Sequence, residues 1–123
     1  MATEIQTLSQ NALLLEYRGK VTFEELDASY TQIMQKAPPY LLGDGMHMIY
    51  DLEVLQDKRL IQKIVELMNQ TTFIRLFLVI PDNHFLRDAV LQMYTELGYI
   101  DRLEIVSSRE KGIKAIQALE SQG

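Results

Sequence analysis

The sequence has no cysteine and no apolar run long enough to cross a bilayer. Without cysteine, disulfides, thiolate metal sites and a cysteine nucleophile are excluded. The first residues, MATEIQTLSQN, lack the basic and then apolar segments of a signal peptide. These absences predict a soluble protein of the cytoplasm with no transmembrane segment.

Positive charge is scarce as well: the chain has 12 basic and 17 acidic residues, for a net charge of −5. A dedicated nucleic-acid binder needs a clustered basic surface to displace counterions. The charge balance therefore argues against nucleic acid and leaves a protein as the expected partner. A chain of 123 residues suits one domain, whose core buries about two thirds of the unfolded surface.

Four segments have the periodicity and the caps of helices. The first follows the capping box Thr22-x-x-Glu25, and the last follows Ser107-Ser108-Arg109-Glu110. The second occupies residues 58–69, and the third begins after Pro81-Asp82-Asn83. The apolar stripe of this third helix is predicted to be Leu86, Ala89, Val90, Met93 and Leu97.

Five short segments are predicted strands. Four of them are strongly apolar: ALLLEY (12–17), MHMIYDL (46–52), FIRLFLVI (73–80) and LEIV (103–106). EIQTL (4–8) is a weaker strand, which Ser9-Gln10-Asn11 turns back into a hairpin. The stretch APPYLLGDG (37–45) is interpreted as an internal loop, because its prolines stop a helix and its glycines permit unusual dihedral angles.

The resulting order of elements is ββαβαβαβα. Alternating strands and helices imply right-handed crossovers and a mainly parallel sheet with helices packed on it. We therefore predict a single α/β domain over residues 1–123, with a five-stranded sheet, an antiparallel N-terminal strand and four helices.

Three stretches carry a resemblance to a known family: ALLLEYRGKVTFEEL (12–26), MIYDL (48–52) and LEIVSSREKGIKAI (103–116). They are similar to the opening strand and Thr-capped helix, the strand ending in Asp-Leu, and the closing strand and helix of the STAS superfamily. The chain most resembles its divergent SpoIIAA-like (STAS/SEC14-like) branch. The resemblance implies a bacterial protein with a protein-binding or ligand-binding fold and no assigned reaction.

The chain departs from that family at its regulatory switch. In the anti-sigma-factor antagonists, an Asp-Ser-Ser-Gly-like motif follows the strand that ends in Asp-Leu, and phosphorylation of its serine controls binding to a partner kinase. The corresponding stretch here reads Asp57-Lys58-Arg59-Leu60, with no Ser, Thr or Gly after the Asp. The resemblance therefore implies an interaction module without the phosphoserine switch.

Asp51 ends a predicted strand, where open α/β sheets usually hold their sites. A receiver-type phosphoacceptor would also need acidic residues after the first long strand and a lysine near the last strand. The sequence places Tyr17-Arg18-Gly19-Lys20 and Val106-Ser107-Ser108-Arg109 there, so neither requirement is met. We interpret Asp51 as a strand-end carboxylate that bonds to loop amides.

Asp57, Lys58 and Arg59 open the second helix. Asp57 is interpreted as its N-cap, with Lys58 and Arg59 solvated in the first turn. Two cations are slightly unfavourable at this end of the helix dipole, so binding of an anion or an acidic partner is the alternative.

Other reactive constellations are missing from the sequence. His47 and His84 are the only histidines and fit neither HxH nor HExxH, so no metal is expected. No serine lies in a GxSxG elbow, and no glycine-rich loop follows a strand to hold a phosphate. We expect no catalytic residue and no cofactor, and we rank last an enzyme that acts through Asp51 with Asp57 or His84.

Tyr40, Leu41 and Leu42 are costly to expose together. Either the protein's own core covers them, or a partner, a second copy of the chain or a membrane surface does. We predict a noncatalytic protein-interaction module, with these residues as a candidate interface and a homodimer among its forms. The alternative is a carrier or sensor of an apolar or lipid-like molecule, which the SEC14-like resemblance and the methionines favour.

Overall fold

The computed structural model describes residues 3–48, 53, 57–82 and 84–122. The strands are β1 (Thr3–Ser9), β2 (Ala12–Tyr17), β3 (Tyr40–Asp44), β4 (Arg75–Val79) and β5 (Leu103–Val106). The α-helices are α1 (Phe23–Lys36), α2 (Lys58–Met68), α3 (His84–Leu97) and α4 (Arg109–Gln122). Short 3₁₀ turns occupy Met46–Met48 and Ile100–Arg102.

The strands form one sheet in the order β1-β2-β3-β4-β5, and only β1 is antiparallel to its neighbour. The predicted α/β fold class, with its antiparallel N-terminal strand, is therefore confirmed. The connections β2–β3, β3–β4 and β4–β5 each join neighbouring strands and run in the same direction across the sheet. Because such crossovers are right-handed, their helices lie on the same face. Helices α1, α2 and α3 accordingly cover one face of the sheet, and α4 packs on the other.

Alternation of side chains along the strands divides the apolar core into two clusters. The main cluster lies under α1, α2 and α3, and its strand residues include Leu13, Leu15, Leu41, Leu76 and Leu78. The smaller cluster lies under α4 and consists of Ala12, Leu14, Leu42, Phe77, Val79 and Ile116. Since both faces of the inner strands are covered, their sequences are continuous apolar runs.

Helix α4 packs closely against the sheet at Gly112. A Cβ at this position would lie 2.7 Å from Leu42 Cδ1 and 3.3 Å from Val106 Cγ2. Leu42 is completely buried, so its side chain has little room to move aside. The glycine therefore allows α4 to lie directly on the central strand.

The third strand lies earlier in the chain than the sequence predicts. Residues 40–44, predicted as part of a loop, form β3, whereas Met46–Met48 is a 3₁₀ turn and residues 49–52 lie outside the described part of the chain. The predicted strand at 46–52 is thus wrong over residues 46–48. The glycines serve the strand itself: a Cβ at Gly43 would approach Leu78 Cδ2 to 2.9 Å, and Gly45 turns the chain away with φ +91°.

This strand also corrects the candidate interface at Tyr40, Leu41 and Leu42. Leu41 and Leu42 expose only 1% and 0% of their surface, because helices cover both faces of β3. The half-buried ring of Tyr40 packs near Phe77, with 6.4 Å between the ring centroids. The protein's own core therefore covers the apolar stretch, and no exposed apolar loop is left for a partner there.

Two helix caps predicted from the sequence are confirmed by hydrogen bonds. The Glu25 amide donates to Thr22 Oγ1 over 3.2 Å at the start of α1. At the start of α4 the Lys111 amide donates to Ser108 Oγ over 3.2 Å, so Ser108 rather than Ser107 is the capping residue.

The stripe predicted for α3 is confirmed only in part. Val90 is buried, and Leu86, Met93 and Leu97 are half-buried. Ala89 is exposed, whereas Tyr94, which the predicted stripe omits, exposes only 2% of its surface. The buried face of helix α3 is therefore rotated towards Tyr94 relative to the predicted stripe.

Three tyrosines, Tyr17, Tyr30 and Tyr94, lie in the main core. The hydroxyl groups of Tyr17 and Tyr30 are 3.1 Å apart and share a hydrogen bond. Burial raises the pKa of all three phenols, and the pKa of Tyr17 and Tyr94 is raised further by the nearby Tyr30. These buried tyrosines are held in their neutral form.

Candidate functional site

Each of the four described α-helices begins at the edge of the sheet where the parallel strands end. We call this the carboxyl edge, meaning the residues that follow β2, β3, β4 and β5 together with the first turns of the helices. Open α/β sheets usually bind ligands at this edge. Of the residues selected from the sequence, Asp57, Lys58 and Arg59 lie here, whereas Asp51 lies outside the described residues.

Asp57 is the N-cap of α2, as the sequence predicts. Its Oδ1 accepts a hydrogen bond of 2.8 Å from the Arg59 amide, and its Oδ2 lies 2.8 Å from Arg59 Nη2. The Arg59 side chain lowers the pKa of the Asp57 carboxyl. The Arg59 guanidinium also lies over the Phe23 ring, 3.8 Å from its centroid.

These contacts bear on the predicted anion or partner site at Asp57, Lys58 and Arg59. Arg59 already has a carboxylate and an aromatic ring from its own chain, while Lys58 is exposed. The capping role is confirmed, and the binding role stays a prediction. Arg59 and Phe23 together present a guanidinium and an aromatic ring at the carboxyl edge, which are side chains that protein interfaces favour.

On the other face of the sheet, alternating charges join β1 and β2 to α4. Arg18 pairs with Glu4 and lies 2.6 Å from Glu16 Oε1. Arg109, the first residue of α4, pairs with Glu16 and places its Nε 2.7 Å from Asp44 Oδ2. We call these five residues the charge network.

The charge network binds α4 to the sheet. Glu16 and Asp44 are register partners on adjacent parallel strands, and Arg109 forms an ion pair with each of them. The pKa of Glu16 is lowered chiefly by its hydrogen bond to Arg109 and then by the one to Arg18. A general acid for neutral conditions needs a raised pKa, so this carboxylate is suited to accepting hydrogen bonds rather than to transferring protons.

The charge network cannot be recognised from spacing in the sequence. Glu16, Asp44 and Arg109 are far apart in the chain, and Asp44 belongs to a stretch whose sequence predicts a loop. The signal that unites them is strand register, which becomes visible only when β2 and β3 are paired correctly.

Among the described residues, the histidines do not converge with other metal ligands. His47 lies in the 3₁₀ turn after β3 and His84 is the first residue of α3, and both are exposed. Across the described ranges, no three His, Cys, Asp or Glu side chains are close enough to hold a metal ion.

The most exposed large apolar residue of the described chain is Phe85, in the first turn of α3. Its side chain has 92% of its surface exposed at the carboxyl edge. Ile74, beside the start of β4 at the opposite edge, follows with 52%. The sequence contains a signal for Phe85, because this residue falls outside the predicted apolar stripe of its helix.

The chain was compared with family models, with curated proteins and with solved structures, and none of them matches. Among the described residues, no helix combines the length and the apolar character that a membrane span requires. The resemblance to the STAS superfamily stays a prediction from the sequence.

Proposed function

We propose that this chain is a noncatalytic protein-interaction module of the STAS type, without the phosphoserine switch, that binds its partner at the carboxyl edge around Phe85. The observation that supports the proposal is the exposure of Phe85, since burying a fully exposed aromatic ring is among the most favourable single contacts that an interface makes. The proposal assigns no reaction to the protein.

The state of the other groups at this edge supports the same function. The carboxylates and guanidinium groups of the charge network are paired with one another, as are Asp57 and Arg59. Charges held in mutual pairs give a fixed surface for docking, whereas acid–base or nucleophilic catalysis needs a group whose proton or lone pair is available.

The apolar-ligand carrier remains the alternative, but the methionines that suggested it have a different explanation. Met68 is completely buried in the main cluster, and Met34, Met46 and Met93 pack against it. They therefore act as core residues, and no described feature favours the carrier over the interaction module.

The proposal is tested by affinity capture from the native host with three matched baits. Wild-type protein and Ile74→Ala are expected to retain the same partner, and Phe85→Ala is expected to lose it. Ile74 is the control because it is also exposed and apolar but lies at the opposite edge. If Phe85→Ala retains the partner as well as Ile74→Ala does, the carboxyl edge is not the binding surface.

Light scattering after size exclusion tests the homodimer. A dimer of wild-type protein that Phe85→Ala converts to a monomer would mean that a second copy occupies this surface. A wild-type monomer that captures no specific partner would refute the proposed function.

A further inference from the structure

The solvent-facing side of α3 is a continuous stripe that starts with Phe85. Helical geometry places residues three, four, seven and eleven positions apart on one side. The stripe consists of Phe85, Asp88, Ala89, Gln92 and Glu96, and all five are exposed. Asp82 is also exposed and lies three residues before Phe85, at the approach to the helix.

The ionisable groups of this stripe are all carboxylates. Asp88 follows Phe85 by one helical turn, and Glu96 accepts a hydrogen bond of 3.2 Å from Gln92 Nε2. Neither Asp82 nor Asp88 forms an ion pair with a described residue. The exposed ring of Phe85 therefore lies between two carboxylates that have no ion-pair partner among the described residues, and the exposed Arg87 of the same turn falls on another side of the helix.

Elsewhere in the protein, an aromatic ring and a carboxylate already bind a cation of the same chain. At the start of α2, the Arg59 guanidinium lies 3.8 Å from the centroid of the Phe23 ring and is paired with Asp57 over 2.8 Å. An aromatic face and a carboxylate hold one cation there. At the start of α3 the aromatic ring and the carboxylates are present, but no described cation lies over the Phe85 ring, which leaves that place for a cation of another molecule.

The charge of this surface also decides between classes of occupant. A second copy paired through a two-fold axis would bring the same carboxylates towards each other, and like charges in such an interface are unfavourable. Nucleic acid and anionic membranes carry negative charge, and the chain has a net charge of −5. A basic protein segment is the class that this surface attracts.

We infer that the partner supplies a lysine or arginine that lies over the Phe85 ring between Asp82 and Asp88, on a basic segment with an apolar side. This inference rests on the proposed function and adds the chemistry of the partner to it. The ring attracts the cation through its quadrupole, and the carboxylates complete the ion pairs.

Two synthetic amphipathic peptides of equal length test this inference. They share one leucine face and carry either arginine or glutamate on the polar face. We expect the arginine peptide alone to shift the backbone NMR resonances of residues 82–89, with an affinity that falls as ionic strength rises. Equal binding of both peptides, or shifts that lie elsewhere on the protein, would overturn the inference.

Variants measure separately what the Phe85 ring and the carboxylates contribute to the affinity for the arginine peptide. Phe85→Leu keeps an apolar side chain but removes the π face, and it should weaken the arginine peptide by about two- to fivefold. The double variant Asp82→Asn and Asp88→Asn should weaken it and reduce its salt dependence. Asp101→Asn, in the 3₁₀ turn that precedes β5 at the opposite edge of the sheet, removes an exposed carboxylate elsewhere and should leave the affinity unchanged.

The native partner distinguishes failure of the inference from failure of the proposed function. If Phe85→Ala loses the captured partner while the double asparagine variant binds it as tightly as wild type does, the interaction module stands and the basic segment is wrong. If the captured partner is lost from both variants, both conclusions are supported.

Discussion

Replacing Arg109 with alanine is expected to destabilise the protein through the charge network. The side chain joins Glu16 and Asp44, which are 18% and 16% exposed, while Arg109 itself is 38% exposed. A hydrogen bond to a charged group contributes about 1.5–3 kcal/mol when well shielded, and an exposed ion pair contributes about 0.2–1 kcal/mol. With allowance for solvent screening, we expect about 1 kcal/mol for each pair and a loss of about 2 kcal/mol in all.

The control for Arg109→Ala is Lys114→Ala in the same helix. Lys114 pairs with Glu110 one turn away, and their side chains are 71% and 77% exposed. A pair this exposed contributes about 0.3–0.5 kcal/mol. Arg109→Lys is an intermediate variant, because it keeps the positive charge but cannot bind two carboxylates with one planar fork. Urea unfolding of all four proteins at neutral pH gives the order of stability.

The pH dependence distinguishes a charge effect from a packing effect. Arg109 lowers the folded-state pKa of Glu16 below its ordinary value of 4.5. The stabilisation is therefore fully present above that pH and is lost as the pH falls through the folded-state value. The stability difference between wild type and Arg109→Ala should shrink in acid and at high salt. A difference equal to that of Lys114→Ala, or one that does not change with pH, would refute the reasoning.

Three further predictions concern the core. Gly45→Ala should destabilise the protein by at least about 2 kcal/mol, because its φ of +91° disfavours a side chain and a Cβ would overlap the Tyr17 carbonyl oxygen. Thermal unfolding checks this. In urea unfolding, Leu42→Ala should lower the free energy of unfolding by about 2–5 kcal/mol and Ile74→Ala by less than about 1 kcal/mol. Equal losses in the two variants would contradict the position of β3. The three buried tyrosines have raised folded-state pKa values, so stability should hold below about pH 10 and fall above it. Ultraviolet titration should show these three tyrosines ionising only when the protein unfolds. Reversible ionisation of more than three of the six tyrosines before unfolding would contradict their burial.

The fold class could be predicted from the sequence because its evidence is local and repeated. Caps such as Thr22, apolar stripes and short apolar runs each mark one element, and their alternation restricts the sheet to a mainly parallel arrangement. Errors arose where two local signals competed. Residues 40–45 combine an apolar run with two glycines, and glycines favour a loop in the sequence, whereas β3 uses Gly43 for close packing and Gly45 for its exit.

The candidate site was less predictable because it depends on contacts between distant segments. The role of Asp57 as a cap follows from its own neighbours, and it is confirmed. The pairing of Glu16 with Asp44 and Arg109 requires the correct strand register, which an error of a few residues in β3 conceals. The exposure of Phe85 depends on how far α3 is rotated against the sheet, and single-sequence periodicity determines that rotation only approximately.

The carboxyl edge has two parts whose roles can be separated by one further comparison. Phe85 is 92% exposed and therefore contributes little to folding, so Phe85→Ala should change the free energy of unfolding by less than about 0.5 kcal/mol. Arg109→Ala should lower stability while leaving the partner surface of α3 intact, because Arg109 lies against the opposite face of the sheet. We therefore expect Phe85→Ala to keep its stability and lose the partner, and Arg109→Ala to lose stability and keep the partner. A loss of stability in Phe85→Ala comparable to that of Arg109→Ala would mean that the ring is packed in solution, and the docking surface proposed around it would have to be abandoned.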